Sequence, residues 1–257
     1  MTASLHVESV GEGPPLVLLH GWGMHSGLWG SLPARLAPTH RVHAVDLPGH
    51  GHSREIPIET LERVAARVAD CFREERTVQV LGWSLGALVA MQWALLTGEQ
   101  VAGLVLTGAT PRFVRAPDWP HGIDEAVLLR FGDELRAAYQ LTLQRFLALQ
   151  LQGSDDVRTT LPAMRRTLVT RGAPSPESLA RGLDILHHAD LRARLHEITP
   201  PTLVIAGDRD TLTPVAAGRA LATELPGGEL RSIAGAAHVA FLSHPVEFTT
   251  AVAGFLR

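Results

Sequence analysis

A serine between two glycines, in Gly82-Trp-Ser-Leu-Gly86, is the first candidate nucleophile of this chain. The apolar run Val78-Gln-Val-Leu81 precedes it and a long apolar segment follows it, which predicts a strand, a sharp turn and a helix. Glycine has no Cβ, so the strand and the helix can approach closely while the serine projects its hydroxyl from a strained conformation. Because the pattern also arises by chance in glycine-rich turns, a nucleophile here needs a base, an acid and oxyanion donors elsewhere.

Ser84, Asp210 and His238 follow three predicted strands in that chain order, which is the order of nucleophile, acid and base in α/β-hydrolases. A serine hydroxyl needs an imidazole to take its proton during attack on a carbonyl carbon, and a carboxylate fixes the tautomer of that imidazole. His238 is the best base, although an exposed loop histidine is the alternative. Asp208 competes as the acid, but the spacing from Gly207 favours Asp210 and leaves Asp208 to cap the turn.

Two backbone N–H groups should stabilise the oxyanion of the tetrahedral intermediate. Leu85 follows the nucleophile at the predicted helix start and supplies one of them. The loop His20-Gly-Trp-Gly23 follows the first core strand, and we assign the second donor to Trp22 N–H. The indole of Trp22 either forms a wall of the acyl pocket or is only a packed loop aromatic.

The elements that must position these residues alternate between buried strands and helices. Strands are predicted at residues 15–20, 42–46, 78–83, 101–106, 202–206 and 229–233, and helices at 61–72, 215–225 and the carboxyl end of the chain. This alternation predicts an α/β fold with a doubly wound, mainly parallel sheet. In such folds ligands bind outside the carboxyl ends of the strands.

The alternation stops after Thr110. Residues 111–188 contain no obvious strand but carry helical patterns at Asp133 to Gln152 and Pro162 to Val169, interrupted by prolines and glycines. We therefore predict an inserted helical cap at 111–188, with 1–110 and 189–257 forming the core of one structural unit. A chain of 257 residues with 46% hydrophobic residues can bury one large core.

Composition excludes several kinds of chemistry. All 23 basic residues are arginine, and the absence of lysine and asparagine excludes a lysine Schiff base, a Walker-type lysine and N-glycosylation. The net charge of −3 gives no basic surface for nucleic acid, and the histidines lack the partners of a metal site. A basic and apolar leader and long apolar runs are both absent, so we expect a cytoplasmic protein without a membrane segment. We further expect a monomer that uses no cofactor or metal.

Several motifs together resemble the pimeloyl-acyl-carrier-protein methyl ester esterases of biotin synthesis, over nearly the whole chain. The motifs are Leu18-Leu-His-Gly-Trp-Gly23, Asp46-Leu-Pro-Gly-His-Gly-His-Ser53, Gly82-Trp-Ser-Leu-Gly86, Arg145-Phe-Leu-Ala-Leu-Gln150 and Ala236-Ala-His-Val-Ala-Phe-Leu-Ser-His-Pro245. The first three are shared by many α/β-hydrolases, whereas Arg145 to Gln150 is more specific to this family. The resemblance implies hydrolysis of the methyl ester on a pimeloyl chain carried by acyl-carrier protein.

The same resemblance implies two sets of binding residues in the cap. The acyl chain would contact Phe146, Leu147, Ala148, Leu149 and Gln150, although the apolar positions of this helix could instead face only the sheet domain. The acidic carrier protein would dock on Arg145, Arg158, Arg165, Arg166 and Arg171, unless these form an ordinary solvated face.

Four other functions remain open from the sequence. A general short-chain carboxylesterase and a hydrolase of ring-cleavage products would use the same residues on small free substrates. A receptor built on the same fold would bind a ligand in the pocket with little or no turnover, but the intact set of Ser84, Asp210 and His238 disfavours it. A haloperoxidase-like activity of the same three residues would need no further residue.

Overall fold

A seven-stranded sheet forms the centre of the protein, for which a computed structural model describes residues 4–172 and 174–256. The strands are β1 (Val7–Val10), β2 (Pro15–Leu19), β3 (Arg41–Val45), β4 (Val78–Trp83), β5 (Val101–Thr107), β6 (Thr202–Gly207) and β7 (Gly228–Ile233). Six of the seven match the predicted strands to within two residues. Four positions of the predicted core, residues 1–3 and 257, lie outside the described residues. Position 173 of the predicted cap lies outside them too.

The sheet is doubly wound, in the order β1-β3-β2-β4-β5-β6-β7. Only β1 runs antiparallel, against β3, and the other neighbouring pairs are parallel. The mainly parallel sheet predicted from the sequence is therefore confirmed. The chain order reverses beside β2 and β4, so the loops after these two strands lie next to each other at the carboxyl edge of the sheet.

Ten α-helices occur in the described residues. They are α1 (Leu32–Leu36), α2 (Leu61–Cys71), α3 (Leu85–Thr97), α4 (Glu125–Ala137), α5 (Tyr139–Leu149), α6 (Val157–Leu168), α7 (Pro176–His188), α8 (Val215–Glu224), α9 (Ala240–Ser243) and α10 (Pro245–Phe255). The predicted helices at 61–72, at 215–225 and at the carboxyl end are confirmed by α2, α8 and α10. Helix α3 is buried on all sides over most of its length, which its continuous apolar sequence dictates.

Two apolar clusters cover the two faces of the sheet. Val17 and Leu19 of β2 belong to the cluster that contains α2 and α3. Leu16 and Leu18 belong to the cluster that contains α1 and α10. Successive side chains of a strand point to opposite faces, so this alternation shows that β2 is covered by helices on both sides.

Four helices, α4 to α7, lie between β5 and β6, where the sequence predicts the cap. The chain enters and leaves this insertion through an antiparallel bridge between Arg112 and Asp190. The single helical pattern predicted from Asp133 to Gln152 is wrong in one respect, because Ala138 (φ −146°, ψ 57°) separates α4 from α5. The limits 111–188 for a separate cap stay a prediction.

No helix in the described part of the chain is both long enough and apolar enough to cross a membrane.

Gly86 provides a test of the packing between α3 and β2. A Cβ at this position would overlap the carbonyl group of Leu19, which is backbone and cannot move aside. We expect Gly86→Ala to lower the free energy of unfolding by about 3 kcal/mol or more, measured by urea denaturation.

Gly254 is the matched control, because it is exposed in α10 and a Cβ there would have no neighbour within 4 Å. Gly254→Ala should raise the free energy of unfolding by about 0.5–1 kcal/mol through helix propensity alone. Equal effects of the two substitutions would contradict the close approach of α3 and β2.

Candidate active site

Ser84 occupies the sharp turn between β4 and α3. Its backbone is at φ 56° and ψ −116°, and no other non-glycine residue among those described has a positive φ. This region costs an L-residue free energy, so the surrounding structure must hold it in place. Gly82 and Gly86 make the turn possible, because a Cβ on either would overlap backbone atoms. The predicted conformation of the Gly-x-Ser-x-Gly turn is therefore present.

Asp210 and His238 lie in direct contact. His238 Nδ1 lies 2.8 Å from Asp210 Oδ2, and both side chains are about 1% exposed. The His238 ring packs against Gly108, where a Cβ would come within 2.7 Å of the ring. The backbone N–H of His238 donates to Gln150 O at 3.0 Å, so the inserted helices also fix the histidine loop.

Asp208, the alternative acid, faces elsewhere. Its Oδ1 accepts a hydrogen bond from Gly235 N at 2.8 Å, which ties its turn to the loop before His238. This geometry agrees with a turn-capping role for Asp208. Asp210 is therefore the carboxylate that can orient His238.

Asp210 is held as a carboxylate in spite of its burial. Burial alone would raise its pKa, but the positive charge that His238 can carry and the hydrogen bonds from His238 and Thr213 together lower the pKa below its usual value. Asp210 can therefore stabilise an imidazolium during proton transfer.

Ser84 and His238 both line an apolar cavity of about 110 Å³. The other lining residues are Trp22, Phe113, Ile123, Val127, Leu128, Phe131, Phe146, Leu149, Leu183, Leu186 and Leu212. None of these side chains carries a charge. The cavity therefore brings an uncharged acyl or alkyl group to the serine and disfavours a free carboxylate.

The two predicted oxyanion donors come from separate segments of the chain. Leu85 is the first residue of α3, and Trp22 lies in the loop after β2. Among the described residues neither the Leu85 N–H nor the Trp22 N–H has a hydrogen-bond acceptor. The Trp22 indole donates to Leu179 O at 2.9 Å and contacts Phe146 edge-on at 5.0 Å, so its side chain is a wall of the cavity.

A buried polar cluster holds the Trp22 loop, and the sequence analysis missed it. His50 Nε2 accepts a hydrogen bond from Gly23 N at 3.1 Å, and His20 Nε2 accepts one from Leu47 N at 3.0 Å. The two rings meet edge-on, 5.2 Å apart. Both histidines stand in motifs quoted above. Histidines in these two glycine-rich loops were therefore the sequence feature that could have indicated the cluster.

Arg171 is a correction to the proposed carrier-protein surface. Its guanidinium group donates to Glu8 Oε2 at 2.6 Å and to Ser26 Oγ at 2.7 Å, and lies 3.3 Å from Asp46 Oδ2. Its side chain is only 11% exposed. Arg171 therefore links the insertion to β1 and to the loop after β3, and is not available for docking.

The segment Phe146 to Gln150 does not present one uniform surface. Phe146 and Leu149 line the cavity. Leu147 is buried in the apolar cluster that contains α1 and α10, and Gln150 is buried with its side-chain Nε2 unpaired among the described residues. Ala148 is half-buried. Direct contact of Leu147, Ala148 and Gln150 with a substrate stays a prediction.

The other four arginines lie on the surface of the insertion. Arg145 on α5 is 3.9 Å from Glu134 on α4. Arg158, Arg165 and Arg166 are exposed on α6. Their positions allow docking of an acidic partner but do not test it.

In the described part of the chain, no group of three or more histidine, cysteine, aspartate or glutamate side chains is placed to hold a metal ion.

The buried histidines predict a loss of stability in mild acid. Burial lowers the pKa of His50 to about 4 and also lowers that of His20. Between pH ~6.5 and pH ~4 the unfolded chain takes up a proton on His50 that the folded chain does not, so stability falls as the pH falls through this range. We expect wild type to lose about 1–2 kcal/mol more than His50→Gln between pH 7 and pH 5, measured by urea denaturation.

Glutamine at position 50 can still accept the hydrogen bond from Gly23 N but does not titrate. His52→Gln, an exposed histidine two residues away, is the control and should keep the wild-type loss. A His50→Gln protein with the full wild-type loss would contradict a neutral His50 in the folded state.

Comparisons with known proteins agree with this geometry. A family model described as alpha/beta hydrolase fold matches residues 14–245. A pimeloyl-(acyl-carrier protein) methyl ester esterase of Xanthomonas oryzae is 44% identical over 254 residues, which cover 98% of this chain and 98% of the relative. The enzyme of the same name from Nitrosomonas europaea is 42% identical over 248 residues, which cover 96% of this chain and 98% of that relative.

A solved structure shares the fold at lower identity. An esterase from Exiguobacterium antarcticum superposes with a TM-score of 0.89 at 22% identity, covering 98% of this chain and 95% of the esterase. With a family model over most of the chain and full-length relatives above 40% identity, this chain belongs to the α/β-hydrolase superfamily and, within it, to the pimeloyl-acyl-carrier-protein methyl ester esterase family.

Proposed function

We propose that this protein is a serine carboxylesterase that hydrolyses the methyl ester of a pimeloyl chain carried by acyl-carrier protein, a step of biotin biosynthesis. The observation that supports this chemistry is the buried hydrogen bond between Asp210 and His238, together with the position of His238 and Ser84 on one apolar cavity. The full-length relatives support the substrate, since they bear that name.

We propose a two-step reaction in which Ser84 is the nucleophile. Its hydroxyl attacks the ester carbonyl while His238 Nε2 takes the proton, and Asp210 stabilises the imidazolium through Nδ1. The N–H groups of Trp22 and Leu85 stabilise the oxyanion. His238 then gives this proton to the methoxy oxygen as its bond to the carbonyl carbon breaks, so that methanol leaves. A water activated by His238 then releases the acid from the acyl-enzyme.

The cavity supports an ester rather than an acid as the substrate. A methyl ester is uncharged and enters among apolar side chains at little cost, whereas the carboxylate product loses its hydration there. We further propose that residues 111–188 act as the cap that excludes water from this cavity, because Val127, Phe131, Phe146 and Leu149 all come from it.

We propose that the carrier protein docks on the exposed arginines of the insertion. Arg158, Arg165 and Arg166 lie on one helix, α6, and Arg145 lies on the neighbouring α5. A cationic surface of this kind attracts an acidic partner and orients it before contact. We also propose that the protein is a cytoplasmic monomer, that it acts without a cofactor, and that it binds neither nucleic acid nor membranes.

A short-chain carboxylesterase is the alternative, and the small size of the cavity favours it. A volume of about 110 Å³ holds only part of a seven-carbon chain together with its ester group. A long substrate would therefore have to extend between the cavity and the surface of the insertion.

The substrate is tested by competition. Purified protein should hydrolyse pimeloyl-acyl-carrier-protein methyl ester with a higher kcat/KM than methyl butyrate, measured by mass spectrometry of both products. Ser84→Ala should lower both rates by at least about 10⁴-fold while keeping the urea midpoint of the wild type. Turnover of the free ester alone would support the short-chain alternative, and an active Ser84→Ala protein would remove Ser84 from the mechanism.

The docking surface is tested by charge reversal. The double variant Arg165→Glu/Arg166→Glu should lower kcat/KM for the carrier-bound ester by about 10-fold, which corresponds to about 1.4 kcal/mol, and leave the free ester unchanged.

Arg63→Glu/Arg219→Glu changes the net charge equally on exposed positions of α2 and α8, and serves as the control. An equal loss in both double variants would assign the effect to net charge instead of docking.

A further inference from the structure

Thr213 places a hydroxyl group on the carboxylate that orients His238. Thr213 Oγ1 donates to Asp210 Oδ2 at 2.7 Å, and this is the oxygen that His238 Nδ1 contacts at 2.8 Å. All three side chains are buried. One carboxylate oxygen therefore accepts two hydrogen bonds, one from the histidine and one from the threonine.

The other carboxylate oxygen has backbone partners only. Asp210 Oδ1 accepts from Leu212 N at 2.9 Å and from Thr213 N at 3.0 Å. These two bonds already fix the position of the carboxylate. The Thr213 hydroxyl is thus not required to hold Asp210 in place. Its main effect is to reduce the negative charge that Oδ2 presents to its other partner.

A donor on a carboxylate oxygen withdraws negative charge from the other partner of that oxygen. The imidazolium form of His238 is the partner that loses stabilisation. The contact between Thr213 Oγ1 and His238 Nδ1 acts in the opposite sense, but at 3.3 Å it is the weaker of the two. The shorter contact therefore decides the net effect, which is a weaker attraction between Oδ2 and an imidazolium at His238.

We propose that Thr213 is a positioning residue of the triad that keeps His238 in its neutral, proton-accepting form to lower pH by sharing the Oδ2 atom of Asp210. The proposal rests on the proposed serine-esterase mechanism for its consequence in catalysis. The hydrogen-bond geometry that supports it is independent of the identity of the ester.

Other charged groups near the pair are engaged elsewhere. On the Asp210 loop, Asp208 binds Gly235 N, and Arg209 donates to Gly153 O at 2.9 Å and to Asp155 Oδ1 at 2.5 Å.

The remaining elements around His238 bring uncharged groups. Trp83, Ser84 and Gly108 lie near His238 at the ends of β4 and β5. The insertion contributes the Gln150 carbonyl, and Leu212 lines the same cavity as His238. After α9, His244 lies next to Gly235, and its Nδ1 is 2.9 Å from Ser243 Oγ. Among the described residues, Asp210 is thus the charged side chain in contact with His238.

Thr213→Val tests the proposal because valine keeps the shape of threonine and removes the hydroxyl. Its effect is read from the pH dependence of kcat/KM for 4-nitrophenyl butyrate. We expect the acidic limb of the profile to move to higher pH by about 0.5 unit or more, since the imidazolium gains the full charge of Oδ2. Thr213→Ser, which keeps the donor, should restore the wild-type profile.

Thr202→Val is the matched control. Thr202 is fully buried at the start of β6, and its hydroxyl donates to Pro200 O at 3.0 Å, far along the strand from Asp210. This substitution should lower the urea midpoint and leave the pH profile in place. A merely structural role of Thr213 predicts the same pattern for Thr213→Val, so an unshifted acidic limb would overturn the proposal.

A second measurement separates this proposal from the proposed function. The pKa of His238 is determined by NMR of histidine-labelled Ser84→Ala protein with and without Thr213→Val, and His238→Gln identifies the resonance. An upward shift in the double variant Ser84→Ala/Thr213→Val supports the proposal even if the carrier-bound ester is not a substrate. An unchanged or lowered pKa overturns it, whatever ester the enzyme hydrolyses.

Discussion

The close approach of backbone at the carboxyl ends of β2 and β4 is the constraint on which the site depends. Gly86 of α3 packs against the Leu19 carbonyl at the end of β2, and a Cβ on Gly21 would lie only 3.3 Å from the Cβ of Ser84. A Cβ on Gly86 would force backbone to move, and one on Gly21 would press on the side chains of Ser84 and Trp83. The strained serine turn and the loop that carries the Trp22 N–H are therefore fixed relative to each other before any substrate binds, as electrostatic stabilisation of an oxyanion requires.

Two buried histidines beneath this edge hold the loops in their neutral forms. His20 and His50 accept hydrogen bonds from backbone N–H groups of neighbouring loops, which requires their neutral forms. Burial favours that form, so the low pKa of His50 and its structural role have the same cause. Asp210 presents the opposite case, in which its hydrogen bonds and the positive charge that His238 can carry outweigh burial and lower its pKa. Two kinds of buried titratable group thus stabilise the same site in different charge states.

The sequence predicted the parts of the fold that depend on local pattern. Buried strands are short apolar runs, and the turn at Ser84 needs its two glycines, so both were found. Strand β1 was missed because most of its side chains are exposed and it carries no apolar run. The break between α4 and α5 at Ala138 was missed because no proline or glycine stands at this position. Arg171 pairs with Asp46 and Glu8, which are 125 and 163 positions away in the chain, and composition gives no sign of such a pairing. The hydroxyl of Thr213 is likewise visible only once the Asp210 loop is folded.

The insertion is attached to the core at three separate places. Arg112 pairs with Asp190 at 2.7 Å where the chain enters and leaves, Arg171 after α6 binds Asp46 and Glu8, and Arg209 binds Asp155 between α5 and α6. Opening the insertion as a rigid lid would break several of these ion pairs together. Val127 and Leu149, by contrast, line the cavity and are 47% and 36% exposed. We therefore expect a substrate to reach the serine through rotamer changes of these exposed side chains, on the nanosecond timescale, without a slower domain motion.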